Sequence, residues 1–307
     1  MYLPFGYQKI NFTYRDRSCQ NMLSYSNTPV QEIHDPVFAK AGVRVLMKRE
    51  DLNHPLISGN KWWKLKYNLE EAQKLGQTTL LTFGGAYSNH IYATAAAAQE
   101  LGLKSIGVIR GEEMLPLNTT LSFAKSKGMH LHYVSRELYR TKTEQVFTDM
   151  LHDSFGKFYL IPEGGTNDLA VKGVTEFAQS LGNDFDYLCC AVGTGGTMAG
   201  LINGISSEKK LIGFPVLKGG EFLQDEIENI LSRKHENWSL NTDYHFGGYA
   251  KLNPHLISFI EDFKTNHHIQ LDPVYTGKAM FGLFDLIGKD FFSRGITILF
   301  IHTGGVH

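Results

Sequence analysis

Two lysines lie one helical turn apart in the segment SGNKWWKLKYNL, which spans residues 58–69. Residues three positions apart are neighbours on a helix, so Lys61 and Lys64 would share one face. Two ammonium groups on one face could bind an anionic cofactor. Taken alone, a lysine at such a position is more often a solvated surface residue.

The segment GGAYSNH, residues 84–90, stands between an apolar strand pattern and an alanine-rich stretch. Alanine favours helix, and Ser88 or Asn89 would cap the helix that follows. The unpaired amides of a helix N-terminus bind a carboxylate or a phosphate well. The alternative is a capping turn with a close backbone approach.

A third segment, GTGGT at residues 193–197, follows a run of apolar residues. Backbone amides in such a loop can surround a phosphate, and Thr194 and Thr197 would add hydroxyl donors. The dinucleotide pattern would need glycine at Met198, and the P-loop pattern would need a lysine before its Ser or Thr. The loop therefore predicts either a phosphate that no nucleotide carries or a plain strand-to-helix turn.

Tyrosines mark two further places. Tyr275 and Thr276 stand side by side in DPVYTGK, residues 272–278, just before a predicted helix. Tyr249 ends the segment FGGY. Read alone, the first is an ordinary loop, and Tyr249 is more often a packed core aromatic.

The thirteen histidines do not form a recognisable metal site. His267–His268 and the pair His130 and His132 lack companion ligands at useful spacing, and no HExxH segment occurs. A GxSxG nucleophile elbow is also missing. We therefore predict no metal.

Composition narrows the class of protein. The 307 residues leave room for about two domains, and 42% hydrophobic with 20% charged residues is ordinary for a globular chain. A net charge of -1 gives no field that favours nucleic acid or an acidic membrane surface. Cys19 and the adjacent Cys189 and Cys190 suit neither disulfides nor a metal. With no leader pattern at the N-terminus, a cytoplasmic location is predicted.

The elements around these segments alternate between strand and helix patterns. Strands are predicted at 43–49, 79–83, 104–109, 130–134, 159–161 and 187–192, and helices at 62–76, 91–101, 117–127 and 169–180. Such alternation is typical of parallel sheets, and open α/β sheets bind ligands where their strands end. Two α/β units are predicted. The stretch 206–246 gives no clear pattern.

The four segments SGNKWWKLKYNL, GGAYSNH, GTGGT and DPVYTGK occur in an order that resembles the D-cysteine desulfhydrase and 1-aminocyclopropane-1-carboxylate deaminase family. The resemblance runs from about Arg44 to Gly305. It implies an α/β protein with two parallel-sheet domains and pyridoxal 5'-phosphate as cofactor. The implied fold is fold type II, as in the tryptophan synthase β-subunit. The implied large domain is 1–62 with 155–307, and the small domain is 63–154.

The resemblance also implies a small amino-acid substrate, a homodimer and a role for each matched residue. Lys61 would be the Schiff-base lysine and the base that moves the Cα proton. Ser88 would lie beside the substrate, and Tyr249 would face it. The remaining implied contacts are with the cofactor: Lys64, Gly193, Thr194, Gly195, Gly196 and Thr197 with the phosphate, Asn89 with the ring hydroxyl, Tyr275 with the ring and Thr276 with the pyridine nitrogen.

Thr276 bears on the choice of substrate. The deaminases of the family have an acidic residue at this position, which keeps the ring protonated and a strong electron sink. A threonine offers only a neutral hydrogen bond. We therefore predict a lyase that converts D-cysteine, or a related β-substituted D-amino acid, to pyruvate, ammonia and sulfide. The alternatives are a deaminase that forms 2-oxobutyrate and ammonia, a homologue of other specificity, or a binding protein.

Overall fold

The computed structural model describes residues 23–306. Cys19 and the N-terminal stretch used for the leader prediction lie outside these residues. The strands of the described chain are β1 (Val30–Ile33), β2 (Arg44–Lys48), β3 (Thr79–Gly84), β4 (Lys104–Arg110), β5 (His130–Val134), β6 (Tyr159–Ile161), β7 (Tyr187–Val192), β8 (Lys210–Pro215), β9 (Trp238–Leu240) and β10 (Thr297–Ile301). Its helices are α1 (Pro36–Ala41), α2 (Asn60–Lys74), α3 (Asn89–Glu100), α4 (Thr119–Ser126), α5 (Arg136–Arg140), α6 (Gln145–Phe155), α7 (Asp168–Gln179), α8 (Gly196–Gly204), α9 (Leu223–Ile230), α10 (Pro254–His267) and α11 (Thr276–Gly288).

The strands of residues 23–306 form two sheets. One has six strands in the order β1-β2-β10-β7-β8-β9, and the other has four in the order β5-β4-β3-β6. Apart from the antiparallel pair β1–β2, the strand pairs are parallel. The prediction of an α/β fold with two parallel sheets is confirmed. None of the helices in this range is long and apolar enough to cross a lipid bilayer.

The smaller sheet reaches further along the chain than the predicted domain. Strand β6 pairs with β3, with Leu80 opposite Tyr159 and Thr82 opposite Ile161. The four-stranded sheet therefore includes Ile161, beyond residue 154. The division into a large domain of 1–62 with 155–307 and a small domain of 63–154 stays a prediction.

Glycines let three helices pack closely. A Cβ atom added to Gly173 of α7 would lie 2.1 Å from the carbonyl oxygen of Trp63 in α2. One added to Gly200 of α8 would lie 2.5 Å from Cβ of Val174 in α7. Real Cβ atoms do not approach other atoms this closely, because interiors are already packed at the density of crystals. The close packing brings the N-termini of α2 and α8, and hence two of the four segments, to one place.

The start of α2 is set by the chain that follows β10. Gly59 has φ +71°, which glycine adopts freely, and a Cβ there would lie 1.9 Å from the carbonyl oxygen of Thr303. The Asn60 amide donates to that same oxygen at 3.2 Å. Lys61 consequently stands at the carboxyl end of β10, near the centre of the larger sheet.

Most predicted elements lie within a few residues of the observed ones. Several observed elements had no predicted counterpart: β1 and α1 before residue 43, β8, α9 and β9 in the unclear stretch 206–246, and α10 and β10 beyond it. Apart from α10, each has eight residues or fewer, and in such short segments tertiary contacts decide the conformation.

Candidate active site

A cavity lies at the carboxyl ends of β7 and β10, between the two sheets. Its walls combine all four sequence segments. The residues that line it are Asn60, Lys61, Lys64, Ser88, Asn89, His90, Gly164, Ala191, Val192, Gly193, Thr194, Gly195, Thr197, Met198, Tyr275 and Thr303.

The floor of the cavity is the loop 193–197, between β7 and α8. Gly195 has φ +78°, and α8 begins at Gly196, so the first amides of this helix have no helical partner. Asn60 Nδ2 donates to Thr197 Oγ1 at 2.7 Å, and the hydroxyls of Thr166 and Thr194 are 2.7 Å apart. Free amides and hydroxyls around a glycine turn are the donors that a phosphate requires.

Glycines let neighbouring side chains pack closely against this loop. A Cβ on Gly196 would lie 2.8 Å from Thr166 Cγ2, and one on Gly164 would lie 2.7 Å from Thr194 Oγ1. The absence of these Cβ atoms therefore allows the Thr166 and Thr194 side chains to lie beside the loop. The residues present fit a bound phosphate ester.

Lys64 points toward the same loop. The side chain is 1% exposed, and its Nζ donates to Thr166 Oγ1 at 3.0 Å. Among residues 23–306 no carboxylate forms an ion pair with it. Burial, and after it the charge of Lys61, hold the pKa of Lys64 well below its ordinary value. A phosphate dianion would supply the counter-charge that this ammonium lacks.

Lys61 is half-buried in the cavity wall. Burial lowers its pKa from 10.5 to about 8, and the carboxyl group of Asp272 acts in the opposite direction. An appreciable fraction of this lysine is therefore unprotonated near neutral pH. A neutral amine is a nucleophile and a base, which is the chemistry predicted for this position.

Ser88 and Asn89 lie at the start of α3. Ser88 caps the helix as predicted, because its Oγ accepts from the amide of Ile91 at 3.3 Å. The Asn89 side chain hydrogen-bonds to the carboxyl group of Asp272. Gly305 makes this contact possible, because a Cβ there would lie 2.4 Å from Asn89 Nδ2.

Asp272 is a buried acid that the sequence analysis missed. Its carboxylate accepts from the amides of Val274 at 3.0 Å and Tyr275 at 2.5 Å. Burial nevertheless raises its pKa from 3.8 to about 7. The available signal was its place at the head of DPVYTGK, which was interpreted only for the tyrosine and the threonine.

The two tyrosines meet at the mouth of the cavity. Tyr275 lies against the loop, with its Cε1 3.1 Å from where a Gly193 Cβ would be. The Tyr249 ring meets it edge-on, with centroids 6.1 Å apart, and its hydroxyl donates to the carbonyl of Tyr87 at 3.2 Å. Burial raises the pKa of both phenols, so both are neutral hydrogen-bond donors.

Thr276 lies behind the cavity wall rather than in it. It is fully buried, and its Oγ1 accepts from the backbone amide of Asp272 at 2.8 Å. The wall itself carries Thr303, a second threonine that the sequence analysis did not single out. The contact of Thr276 with the pyridine nitrogen stays a prediction.

His90 was also missed, although it follows Ser88 and Asn89 directly. Its Nε2 lies 2.8 Å from Thr82 Oγ1, and the hydroxyl of Thr82 donates to the carbonyl of Ile161 at 2.8 Å. The His90 Nε2 must therefore carry the hydrogen, which leaves Nδ1 as an acceptor. Within the described chain this buried Nδ1 has no partner. Burial and the charges of Lys61 and Lys64 keep His90 neutral by lowering its pKa.

Comparison with known proteins identifies the family. The family model "Pyridoxal-phosphate dependent enzyme" matches residues 22–304. The chain belongs to this family. Pyridoxal phosphate is its cofactor, and the loop 193–197, Lys64 and Lys61 are the residues that we expect to hold it.

Several relatives extend the comparison. A Pyrococcus abyssi protein named "Putative 1-aminocyclopropane-1-carboxylate deaminase" is 34% identical over 91% of this chain and 89% of its own. The mitochondrial "Bifunctional D-cysteine desulfhydrase/1-aminocyclopropane-1-carboxylate deaminase" of Arabidopsis thaliana is 31% identical over 92% of this chain and 77% of its own. A solved "ACC deaminase homologue" superposes with TM-score 0.80 at 32% identity, covering 93% of this chain and 91% of that one.

These relatives confirm the resemblance drawn from the four segments. The protein is a pyridoxal-phosphate-dependent enzyme of the 1-aminocyclopropane-1-carboxylate deaminase and D-cysteine desulfhydrase family, with fold type II. Its lyase character is confirmed at this level. The names of the relatives include both activities, so they do not choose between the two substrates.

Proposed function

We propose that the protein is a D-cysteine desulfhydrase, which converts D-cysteine and water to pyruvate, ammonia and hydrogen sulfide. The observation that carries this proposal is the neutral Thr276. Its Oγ1 accepts from the backbone amide of Asp272, and threonine has no carboxylate that could keep the pyridine nitrogen protonated. Elimination of a thiolate needs a weaker electron sink than opening of a cyclopropane ring.

The cofactor, when bound, supplies the conjugated ring that takes up charge from the substrate Cα. Lys61 then acts as the base. Its lowered pKa of about 8 leaves enough neutral amine to accept the Cα proton at Nζ near neutral pH. As that proton leaves, the Cβ–S bond breaks and sulfur departs with the electron pair. Water later releases the nitrogen as ammonia, leaving pyruvate.

The substrate carboxylate would bind at the start of α3. Ser88 lines the cavity there, and helix N-termini favour anions. The neutral phenols of Tyr249 and Tyr275 lie together at the cavity mouth. The Tyr249 hydroxyl donates to the carbonyl of Tyr87 and the Tyr275 hydroxyl is hydrogen-bonded to Tyr249, so either phenol would have to leave its present partner to donate to the departing thiolate. Arg110 and the ion pair of Lys142 with Glu163, 3.3 Å long, lie further out in the same mouth.

A second candidate is 1-aminocyclopropane-1-carboxylate deaminase, which forms 2-oxobutyrate and ammonia. The 34% identity to proteins of that name favours it. The neutral Thr276 argues against it, and the buried acid Asp272, which hydrogen-bonds to Asn89, is an alternative acid beside the site. The homodimer and the cytoplasmic location also stay predictions.

The test is product release by the purified protein with pyridoxal phosphate, from D-cysteine and from 1-aminocyclopropane-1-carboxylate in parallel. Pyruvate and equal sulfide from D-cysteine alone would support the proposal. 2-Oxobutyrate from the cyclopropane would overturn the argument from Thr276. L-Cysteine serves as the stereochemical control, and D-serine and β-chloro-D-alanine test other leaving groups.

Lys61→Ala tests the role of Lys61 both as the cofactor-bound lysine and as the base. We expect loss of both the visible absorbance of the lysine-bound cofactor and turnover. A variant that stays yellow and active would show that another group is the base. A wild-type protein that is colourless and does not bind pyridoxal phosphate would favour a binding protein instead.

A further inference from the structure

The loop 245–250 has an unusual backbone. Phe246 and Ala250 have φ +53°, and between them Gly247 and Gly248 have φ +92° and +116°. The left-handed region is unfavourable for residues with a Cβ, so such residues persist there only where the surroundings hold them. Contacts from outside the loop must therefore stabilise this backbone conformation.

Lys278 of α11 makes two such contacts. Its Nζ donates to the carbonyl of His245 at 2.9 Å and to that of Gly248 at 2.7 Å. The side chain is 1% exposed, and no ion pair with it forms among residues 23–306. A buried ammonium is costly unless its hydrogen bonds compensate, and here they go to one loop.

The loop carries Tyr249 to the cavity mouth. The Tyr249 hydroxyl donates to the carbonyl of Tyr87, in the turn before Ser88, and its ring meets Tyr275 edge-on. Tyr275 lies one turn before Lys278 on the same chain segment. The lysine therefore ties both tyrosines to one rigid element.

We propose that Lys278 is a positioning residue, whose two hydrogen bonds to the loop 245–250 hold Tyr249 at the mouth of the active site. The inference rests on the proposed function only for the role given to Tyr249. The competing explanation is that Lys278 serves only to offset the nearby carboxyl group of Asp272, on whose pKa it acts. The two explanations differ in whether the loop 245–250 loses its structure when Lys278 is replaced.

The first experiment measures amide hydrogen exchange of wild type and Lys278→Met. The amides of Gly248 and Lys251 bond within the loop, to His245 and Gly248 carbonyls at 3.0 and 3.1 Å. We expect these amides to exchange at least about ten-fold faster in Lys278→Met, because the loop opens locally. The control is Lys289→Met, which removes an exposed lysine paired with Asp285 at the end of the same helix. It should leave the loop unchanged.

The second experiment is a double-mutant cycle with Tyr249→Ala, measured as kcat/KM for the amino acid that the wild type turns over. We expect Lys278→Met to lower kcat/KM at least about ten-fold, because small displacements of a positioned group are costly. In the Tyr249→Ala background it should change kcat/KM less than about two-fold, since the loss has already occurred. Affinity for pyridoxal phosphate should stay at the wild-type value.

The proposal would be overturned if the loop amides exchanged at the wild-type rate in Lys278→Met. It would also be overturned if the double mutant lost kcat/KM by the product of the two single-mutant losses. If Lys278→Met is too unstable to purify, Lys278→Met with Ala250→Gly replaces it, because glycine adopts φ +53° without strain. If the wild type turns over no amino acid, the proposed function fails, and the exchange data still decide whether Lys278 holds the loop.

Discussion

Lys64→Met should stabilise the cofactor-free protein and weaken the cofactor complex. Lys64 is buried with one neutral hydrogen bond, to Thr166, and Lys61 repels it. Methionine has nearly the same length and volume, so the change removes a charge and leaves little cavity. The two states of the protein therefore respond in opposite directions.

The cofactor-free protein loses a buried amine whose charged form has no counter-ion. Replacing a buried ion pair by apolar residues often stabilises a protein by about 1–4 kcal/mol, and we expect a similar gain here because this amine has no ionic partner; the lost hydrogen bond to Thr166 costs about 1 kcal/mol. We expect a net gain of up to about 3 kcal/mol. At about 2–4 °C per kcal/mol for a chain of this size, Tm should rise by several degrees.

The cofactor complex loses charge-assisted hydrogen bonds to the phosphate, each worth about 1.5–3 kcal/mol. The Kd for pyridoxal phosphate should rise about ten- to hundred-fold. Differential scanning fluorimetry gives both Tm values, and a fluorescence titration gives Kd. The control is Lys66→Met on the same helix, which breaks a half-exposed ion pair with Glu176. It should cost about 1 kcal/mol or less and leave Kd unchanged.

A cofactor-free Lys64→Met protein that melts several degrees lower, with unchanged Kd, would refute this reasoning. That outcome would make Lys64 a structural residue that needs no anion. It would also remove one of the two lysines from the predicted phosphate site.

Four further predictions concern single residues of the site. Gly196→Ala places a Cβ 2.8 Å from Thr166 Cγ2, so the Kd for pyridoxal phosphate should rise at least about ten-fold while the far-ultraviolet circular dichroism spectrum stays unchanged. An unchanged Kd would mean that the loop 193–197 does not bind the phosphate. Ser88→Ala should lower the free energy of unfolding by about 1 kcal/mol through the lost cap, and full activity in this variant would show that capping is its whole role. Thr276→Glu should shift product formation from pyruvate toward 2-oxobutyrate, whereas unchanged selectivity would assign specificity to the pocket walls. The pKa of Lys61 falls from 10.5 to about 8 on folding, so below pH 8 its charge destabilises the cofactor-free protein by about 3 kcal/mol, and this penalty disappears as pH rises to 10.5. Urea titrations should therefore show a free energy of unfolding that increases between pH 8 and 10.5 in the wild type and does not increase in Lys61→Met. Identical pH profiles of the two proteins would show that Lys61 is not desolvated.

Local sequence patterns predicted the elements that position the site. Ser88 was identified as a helix cap because a cap is a contact between residues three apart, here with the amide of Ile91. The strand–loop–helix order around 84–90 and 193–197 follows from period and glycine content. Strands β3, β4, β5 and β7 were predicted to within a residue, because each is a short apolar or alternating segment bounded by turn residues.

The sequence by itself determined that two α/β units carry four glycine-rich or lysine-bearing segments, and their order identified the family. Only the tertiary structure decided which side chains meet. Lys64 reaches Thr166 across 102 positions, Asn60 reaches Thr197 across 137, and Tyr249 reaches Tyr87 across 162. Such contacts have no local signature, because close packing of α2, α7 and α8 and the pairing of parallel strands create them. The roles of the buried Asp272 and of Lys278 also depend on the tertiary structure. Burial shifts the pKa values of both side chains, and only the assembled fold determines burial.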